Sequence, residues 1–380
     1  MKAIIIGAGI GGLTTAIALQ QRGIAFEIYE AAPELKTVGA GIWLGCNAMN
    51  VYEKLGLAAA LKERSVLLET VFIKDTSGNT LQLVNNLEIK QLYGNATHAI
   101  HRGTLQQILV AAVRTPIQLG KKCIRIEGGT VYFEDGSTAQ GDLIIGADGI
   151  RSVVREQCVT KAQYRYSGQT CWRATVNMDL PAAEQHNSGE MWSKKGGIRA
   201  SASQLGDHQV YFWMTKAIPA GSRYTPADAY TLIQQELQAF PKELQEVMQR
   251  IDPEQLIHGD LYDFKPIAQW YKDEVVLIGD AAHATTPNLG QGASQAIEDA
   301  YILAAYLSKE TDINAAFQKY QAKRIKHAQS VVSMSYTLGR ITSLKNGIGS
   351  RLRNYLIKHT PNWIARRQFH LLYDVNLNVE

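Results

Sequence analysis

The sequence predicts an α/β protein: a Rossmann-like domain built from discontinuous segments, a second domain dominated by β-sheet, and helices at the C-terminus. Three observations predict it. A glycine-rich turn near the N-terminus joins an apolar strand to a helix. Two later apolar runs, Leu143-Ile144-Ile145 and Val275-Val276-Leu277-Ile278, each end in a turn that carries glycine and aspartate. Continuous apolar runs of this length read as parallel strands buried on both faces, and their wide spacing implies one sheet gathered from separated segments. The stretches between them have strand composition, which implies a second β-rich unit.

In chain order, Ala3-Ile4-Ile5-Ile6 is the first buried strand and Gly7-Ala8-Gly9-Ile10-Gly11-Gly12 the turn. A helical pattern follows from Leu13 to Arg22 and stops at Gly23, and a short strand from Ala25 to Tyr29 closes on Glu30. From about Leu67 to Ile100 the pattern is β-like, with Thr76-Ser77-Gly78-Asn79 as a hairpin turn. Arg102 to Val113 reads as a helix, and Val131 to Ser137 as a strand running into a turn. Cys171 to Met178 and Gln209 to Thr215 have strand composition and flank the helical stretches Pro226 to Phe240 and Lys242 to Ile251 with them. A long helix is expected from Gly292 to Leu307, with mostly helix beyond Ile313.

Composition narrows the functional classes. The 380 residues are 46% hydrophobic and 19% charged, enough apolar material for a sizeable core and too much for a disordered chain. Four cysteines, Cys46, Cys123, Cys158 and Cys171, lie far apart without CxxC spacing, so neither a metal site nor a disulfide framework is indicated and a cytoplasmic location is expected. The run from Ala3 to Leu19, with Ala16-Ile17-Ala18 at its end, has the outline of a leader peptide, but its glycines fit a phosphate-binding turn better and it is short for a membrane span. No transmembrane segment is expected elsewhere.

The formal net charge of +4 hides an uneven distribution: residues 321–370 hold ten Lys or Arg and no Asp or Glu. The remainder is acidic, so nucleic acid is not an expected partner.

Gly7, Gly9 and Gly12 form GxGxxG between strand and helix. The first glycine permits the tight turn, the second lets a pyrophosphate approach the backbone, and the third lets the helix pack closely on the strand. Free N–H groups and the positive dipole end of the helix favour the phosphates, and Glu30 stands where it can accept hydrogen bonds from a ribose. This predicts a dinucleotide site.

Two further motifs choose the dinucleotide. Gly146-Ala147-Asp148-Gly149-Ile150-Arg151-Ser152 and Gly279-Asp280-Ala281-Ala282-His283, with Pro287 and Gly290-Gln291-Gly292 after it, resemble the FAD-dependent aromatic hydroxylases, the class A flavoprotein monooxygenases of the p-hydroxybenzoate hydroxylase fold. The resemblance covers about residues 1–330. It implies FAD as cofactor and NADPH or NADH as co-substrate, with O₂ adding at flavin C4a and hydroxyl transfer to an electron-rich ring. It also implies domain limits: 1–66, 101–160 and 268–312 for FAD, 67–100 and 161–267 for substrate, and 313–380 as the C-terminal helical segment. By the same resemblance the cofactor contacts include Gly11, Ala31, Arg102 and Gln106, the backbone of Cys123, and Asp148, Asp280 and Ala293. The segment Val38-Gly39-Ala40-Gly41-Ile42 resembles the glycine loop near the isoalloxazine, followed by Asn47. His283 reads as a structural residue that holds its turn. Arg151 and Arg155 read either as nicotinamide-side cations or as solvated arginines after a helix cap.

On the substrate side, Trp172-Arg173-Ala174 resembles a recurring strand motif at the family's domain junction. Arg199 and Tyr211, on neighbouring β segments, resemble in their separation the substrate Arg and Tyr of bacterial urate hydroxylases, and are the candidate catalytic pair. An arginine can neutralise an anionic substrate, and a phenol can orient or deprotonate one. Cys171 stands where those enzymes carry asparagine, which argues against urate itself. The expected substrate is a small aromatic or heteroaromatic molecule, bound by a monomer or homodimer. The alternatives are a related flavin reaction on a polycyclic or alkene substrate, such as epoxidation or inactivation, and an FAD protein without turnover that uses its basic tail to bind a partner or a membrane. For that tail, Val331, Val332, Leu344, Leu352, Tyr355, Leu356, Trp363 and Phe369 recur among the cations. Its amphipathic stretches are expected to pack on the protein's own body rather than on a membrane.

Overall fold

The computed structural model describes residues 1–35, 40–194, 196–344 and 347–379. Lys2–Ile6 lies inside a six-stranded sheet in the order Tyr271–Lys272, Val275–Leu277, Leu143–Gly146, Lys2–Ile6, Ala25–Tyr29, Ile117–Gln118. All neighbours are parallel except the pair at the Tyr271 edge. Ala3, Ile4, Ile5, Ile144, Ile145, Val276 and Leu277 are fully buried, as a sheet covered on both faces requires. The chain thus returns to this sheet from three distant segments, and the carboxyl ends of those strands carry Gly7, Asp148 and the Gly279–Asp280 turn.

The helix Ile10–Gln21 packs against the long helix Gly292–Lys309. Their close approach depends on Gly11, where an added Cβ would stand 3.3 Å from Ala296 Cβ. The long helix is buried nearly all round because the 30-residue helix Ile313–Thr342 covers its other side.

The second large sheet has seven strands, in the order Ile257–Phe264, Tyr164–Asn177, Gln209–Lys216, Ile198–Leu205, Asn187–Trp192, Thr70–Asp75, Thr80–Asn85. Strand alternation gives it two unlike faces. Trp172, Ala174, Ala200, Val210, Phe212 and Met214 form one face, buried with Ala229, Ile233, Leu237, Leu244 and Val247 of the helices Pro226–Leu237 and Lys242–Gln249. Arg173, Thr175, Arg199, Ser201, Ser203, Tyr211, Trp213 and Thr215 point to the other side, as the ladder register fixes. A small sheet, Gly41–Leu44, His98–His101 and Val66–Leu67, lies beside this polar face.

Three expectations need correction. The stretch from Leu67 to Ile100 is not β-like throughout: Asn86–Tyr93 is a helix. The Asn85 side chain accepts from the N–H groups of Leu87 and Glu88 to start it, and Gly94 at φ +95° ends it, so local capping overrides the strand pattern. Arg155 is no solvated arginine. It is fully buried and donates to the carbonyls of Ala281 (3.1 Å) and Ile150 (2.8 Å), tying the two acid-bearing turns together.

The third correction is in the tail. Val331 and Val332 are buried as expected, but Leu344, Leu352, Tyr355, Leu356 and Trp363 are exposed. The helix Gly347–Lys358 docks by its Ser350 and Arg353 side, because the buried guanidinium of Arg353 lies over the Trp192 ring at 4.8 Å and so faces its apolar stripe away.

Candidate active site

The N-terminal turn has the shape that a pyrophosphate needs. Gly7 has φ +105°, and a Cβ there would stand 2.4 Å from the Ala147 carbonyl oxygen. At Gly12 a Cβ would fall 1.9 Å from Gly7 O, so strand and helix can meet only through glycine. Gly9 differs: nothing lies within 4 Å of its would-be Cβ, leaving open approach to the backbone at the helix start. Glu30 accepts from Ala8 N–H (2.8 Å) and Ala32 N–H (2.9 Å), which fixes the carboxylate over the turn with lone pairs left for ribose hydroxyls. Ala31 lies exposed beside it.

The other acidic strand ends converge on the same cleft. Asp148 accepts from Val154 N–H at 3.1 Å with one oxygen, while its Oδ1 is buried without a hydrogen-bond partner. Burial pushes its carboxyl above the ordinary range. Asp148 also lies close enough to add to the rise of the buried Cys123 thiol, pushed to about 12 chiefly by desolvation, so that thiol is inert and only the backbone is available. Asp280 is exposed toward the cleft yet crowded by protein atoms that raise its carboxyl pKa, while the charges of His283 and Arg102 act the other way. Arg102 is exposed at the start of the helix Arg102–Ala112, with Gln106 one turn on, and neither side chain has a hydrogen-bond partner among the described residues.

Behind this cleft lies a buried ionic cluster. His283 Nε2 and Gly279 N–H (2.9 Å) both bond Asp299 Oδ2, and Arg324 Nε donates to Asp299 Oδ1 at 2.8 Å. Arg324 also pairs with Glu298, and Asn47 Nδ2 donates to Gln291 Oε1 at 3.0 Å and to Glu298 Oε1. His283 therefore holds its turn, and the Pro287–Gly292 segment is pinned through Gln291. Gly290 at φ +64° makes the bend there, and Gly292 and Ala293 begin the long helix.

The polar sheet face meets this segment. Arg199, buried, donates to Thr215 Oγ1 (3.3 Å), Glu190 Oε2 (3.2 Å), Gln169 Oε1 (3.4 Å) and Asn288 Oδ1 (2.5 Å). It bridges the sheet to the Pro287–Gly292 segment and has little donor capacity left. Tyr211 packs on the glycine loop: a Cβ at Gly41 would lie 2.5 Å from its ring. Burial raises the Tyr211 phenol far above its usual value, so it stays protonated. Arg199 lies opposite Thr215 and Tyr211 opposite Ser203, so the two are four residues apart along paired strands, about 13 Å. They flank a site rather than touch each other.

On this face lie groups that were not among the expected site residues. Arg173 Nε and Ser201 Oγ, in the row between Arg199 and Tyr211, are buried with no hydrogen-bond partner, and so is Nε2 of Gln169, which lies beyond Arg199 and accepts from it through Oε1. The signal was available as period-2 alternation of polar residues across paired strands, but only the ladder register shows that these residues share a face. Val38 and Gly39 of the expected glycine loop lie outside the described residues.

A dinucleotide cradle with its acids at three strand ends opens toward a polar sheet face, and together with its relatives this makes the protein an FAD-dependent monooxygenase. The FAD binding domain family matches residues 1–335, and the chain belongs to it. The chain is 35% identical over 363 residues to the aurachin C monooxygenase/isomerase of Stigmatella aurantiaca, covering 94% of each chain. It is 33% identical over 341 residues to an FAD-dependent urate hydroxylase of Klebsiella pneumoniae, covering 87% of this chain and 88% of the other. The structure of Klebsiella pneumoniae HpxO complexed with FAD and uric acid superposes with a TM-score of 0.91 at 29% identity, covering 100% of this chain and 98% of that one. No group of His, Cys, Asp and Glu among the described residues could hold a metal ion.

Proposed function

We propose that this enzyme hydroxylates an electron-rich heteroaromatic ring bearing an ionisable oxygen, held against the sheet face between Arg199 and Tyr211. The observation that carries the reading is the set of buried unpartnered groups on that face: Arg173 Nε and Ser201 Oγ between the two, and Gln169 Nε2 just beyond Arg199. Buried polar atoms are normally satisfied, and three orphans on one face of a cleft wall are explained by a polar ligand that completes them. The relatives named for aurachin C and urate accord with a heteroaromatic substrate.

FAD, reduced by NADPH or NADH, supplies the activated oxygen when bound. The chain's own residues hold and polarise the ring. Gly7, Gly9, Gly11 and Gly12 with Glu30 and Ala31 fit the adenosine and pyrophosphate end, together with the Cys123 backbone. Arg102, Gln106, Asp148 and Asp280 fit the ribityl and phosphate region. Gly41, Pro287, Gly290, Gln291, Gly292 and Ala293 frame the ring. The free donor of Arg173 favours an oxyanion on the substrate, and that negative charge raises the electron density of the ring to be attacked. Tyr211, held protonated, donates a hydrogen bond and does not serve as a base. Arg199 is a positioning residue that fixes Asn288 and the segment bearing Gly290 and Gln291. Closing the sheet over the cleft excludes water from the reacting atoms.

The test measures NADH and NADPH oxidation with a panel of phenols, hydroxyquinolines and purines, tracing isotopically labelled O₂ into product. Substrate-stimulated oxidation with label in a hydroxylated heteroaromatic is the expected result. Arg173→Ala should raise KM for that substrate about tenfold or more while FAD stays bound, as expected for loss of a charged hydrogen bond. Label in no ring product, or an unchanged KM in Arg173→Ala, would overturn the reading.

A further inference from the structure

The helix Gly347–Lys358 is amphipathic in the reverse sense to a helix that seals a core. Ile348 is 82% exposed, Leu352 58%, Tyr355 60% and Leu356 59%. Their spacing places them on one stripe. The opposite side is the one that docks: Ser350 Oγ donates to Leu344 O at 3.2 Å, and Arg353, buried, donates to Thr342 O at 3.3 Å. Two further large apolar residues are exposed on neighbouring elements. Trp363 is 64% exposed on the following helix Asn362–Tyr373, and Leu83 is 62% exposed on the edge strand Thr80–Asn85, against which the helix packs. Exposed large apolar side chains gathered on one helix face mark an interaction surface.

The charges around the stripe indicate the occupant. Arg340, Arg351, Lys358, Arg366 and Arg367 are all exposed, and none has an acidic partner among the described residues. Between residues 321 and 370 the sequence has no Asp or Glu. A second copy laid on this face would set two such cationic surfaces against each other. An anionic bilayer offers what both halves of the surface need, phosphate and carboxylate groups for the cations and an acyl boundary for the apolar residues. No helix among the described residues is long and apolar enough to cross a membrane, so the contact would be interfacial.

We propose that the Gly347–Lys358 helix, with Trp363 and Leu83 at its flanks, lies on an anionic lipid surface with the Ile348, Leu352, Tyr355 and Leu356 stripe inserted at the headgroup boundary.

The experiment is co-sedimentation of the FAD-loaded enzyme with vesicles of phosphatidylcholine, with and without phosphatidylserine, at physiological salt. Leu352→Ser/Leu356→Ser and Arg351→Glu/Lys358→Glu serve as variants, since all four side chains point away from the body; bound FAD reports that each remains folded. The proposal expects binding to the phosphatidylserine vesicles only, weakened about tenfold or more by either double variant. It is overturned if the native enzyme stays in the supernatant, or if the serine variant binds as the native enzyme does. It is also overturned if sedimentation velocity shows a dimer that the serine variant dissolves while vesicle binding is absent, because a second copy then covers the stripe.

Discussion

At the scale of single residues, the cleft is defined by side chains whose partners are incomplete in the protein itself. Glu30 holds the turn through Ala8 and Ala32 but keeps free lone pairs, and Asp280 faces the cleft with no hydrogen-bond partner among the described residues. Glu30→Ala and Asp280→Ala should each weaken FAD retention by about tenfold to a hundredfold, as expected for hydrogen bonds to charged groups, read as flavin absorbance after gel filtration. Full occupancy in both variants would contradict the assignment. A different residue sets an acid limit on stability. His98 is buried, bonded to Ser65 Oγ at 2.9 Å, and its pKa is lowered from 6.5 to about 4, first by burial and then by the charges of Lys62 and Lys90. The unfolded chain takes up this proton near pH 6.5 and the folded one only near 4. The associated stability is thus fully present above the unfolded value and is lost as pH falls through that window, to about 3 kcal/mol at most. His98→Gln should flatten the fall of the thermal midpoint between those pH values; an unchanged slope would show that another group is responsible.

At the scale of elements, the helices Gly292–Lys309 and Ile313–Thr342 are joined by charge as well as by packing. Arg324 on the second helix neutralises Glu298 and Asp299 on the first, and all three are buried. The burden falls unevenly. Burial raises Glu298 to about 6, whereas Asp299, equally buried but bonded to both His283 and Arg324, is held well below the usual carboxylate range. Arg324→Met would strand two buried acids, and a loss of about 3–5 kcal/mol is expected, read as a fall in the thermal midpoint. On a Glu298→Gln background the loss should shrink. Equal losses on both backgrounds would show that the arginine acts by packing alone.

At the scale of the whole molecule, the contacts that join the cofactor cleft to the polar sheet face include Arg199 to Asn288 and Tyr211 to Gly41. Arg199→Ala should leave FAD bound, since among the described residues Asn288 is its one hydrogen-bond contact with the Pro287–Gly292 segment and the Gly7–Gly12 turn and Glu30 are untouched, yet lower substrate-stimulated NAD(P)H oxidation by about a hundredfold. A misplacement of about 1 Å at a reacting centre is enough for that. Asn288→Ala should show the same pattern, since Arg199 acts through it. Loss of flavin in either variant would move these residues from the substrate side to the cofactor side.

The sequence by itself determined the parts that obey local rules. Gly7, Gly9 and Gly12 with Glu30 were legible because a phosphate turn needs glycine at fixed offsets between a buried strand and a helix. The buried strands at Leu143 and Val275 were legible because both faces are covered and the apolar run is unbroken. The helix Asn86–Tyr93 was not, since eight residues span barely two turns and carry little periodicity. Only the tertiary structure decided what the polar residues face. Arg173 and Ser201 are ordinary strand residues until the ladder register sets them between Arg199 and Tyr211. Arg155 looks solvated until the turns at Ile150 and Ala281 close over it. The tail shows the same limit in reverse: its amphipathic pattern fixes that Leu352 and Leu356 share a face, but the docking of Arg353 on Trp192 decides that this face points outward. Periodicity specifies which side chains lie together, and the direction they point depends on contacts far apart in the chain.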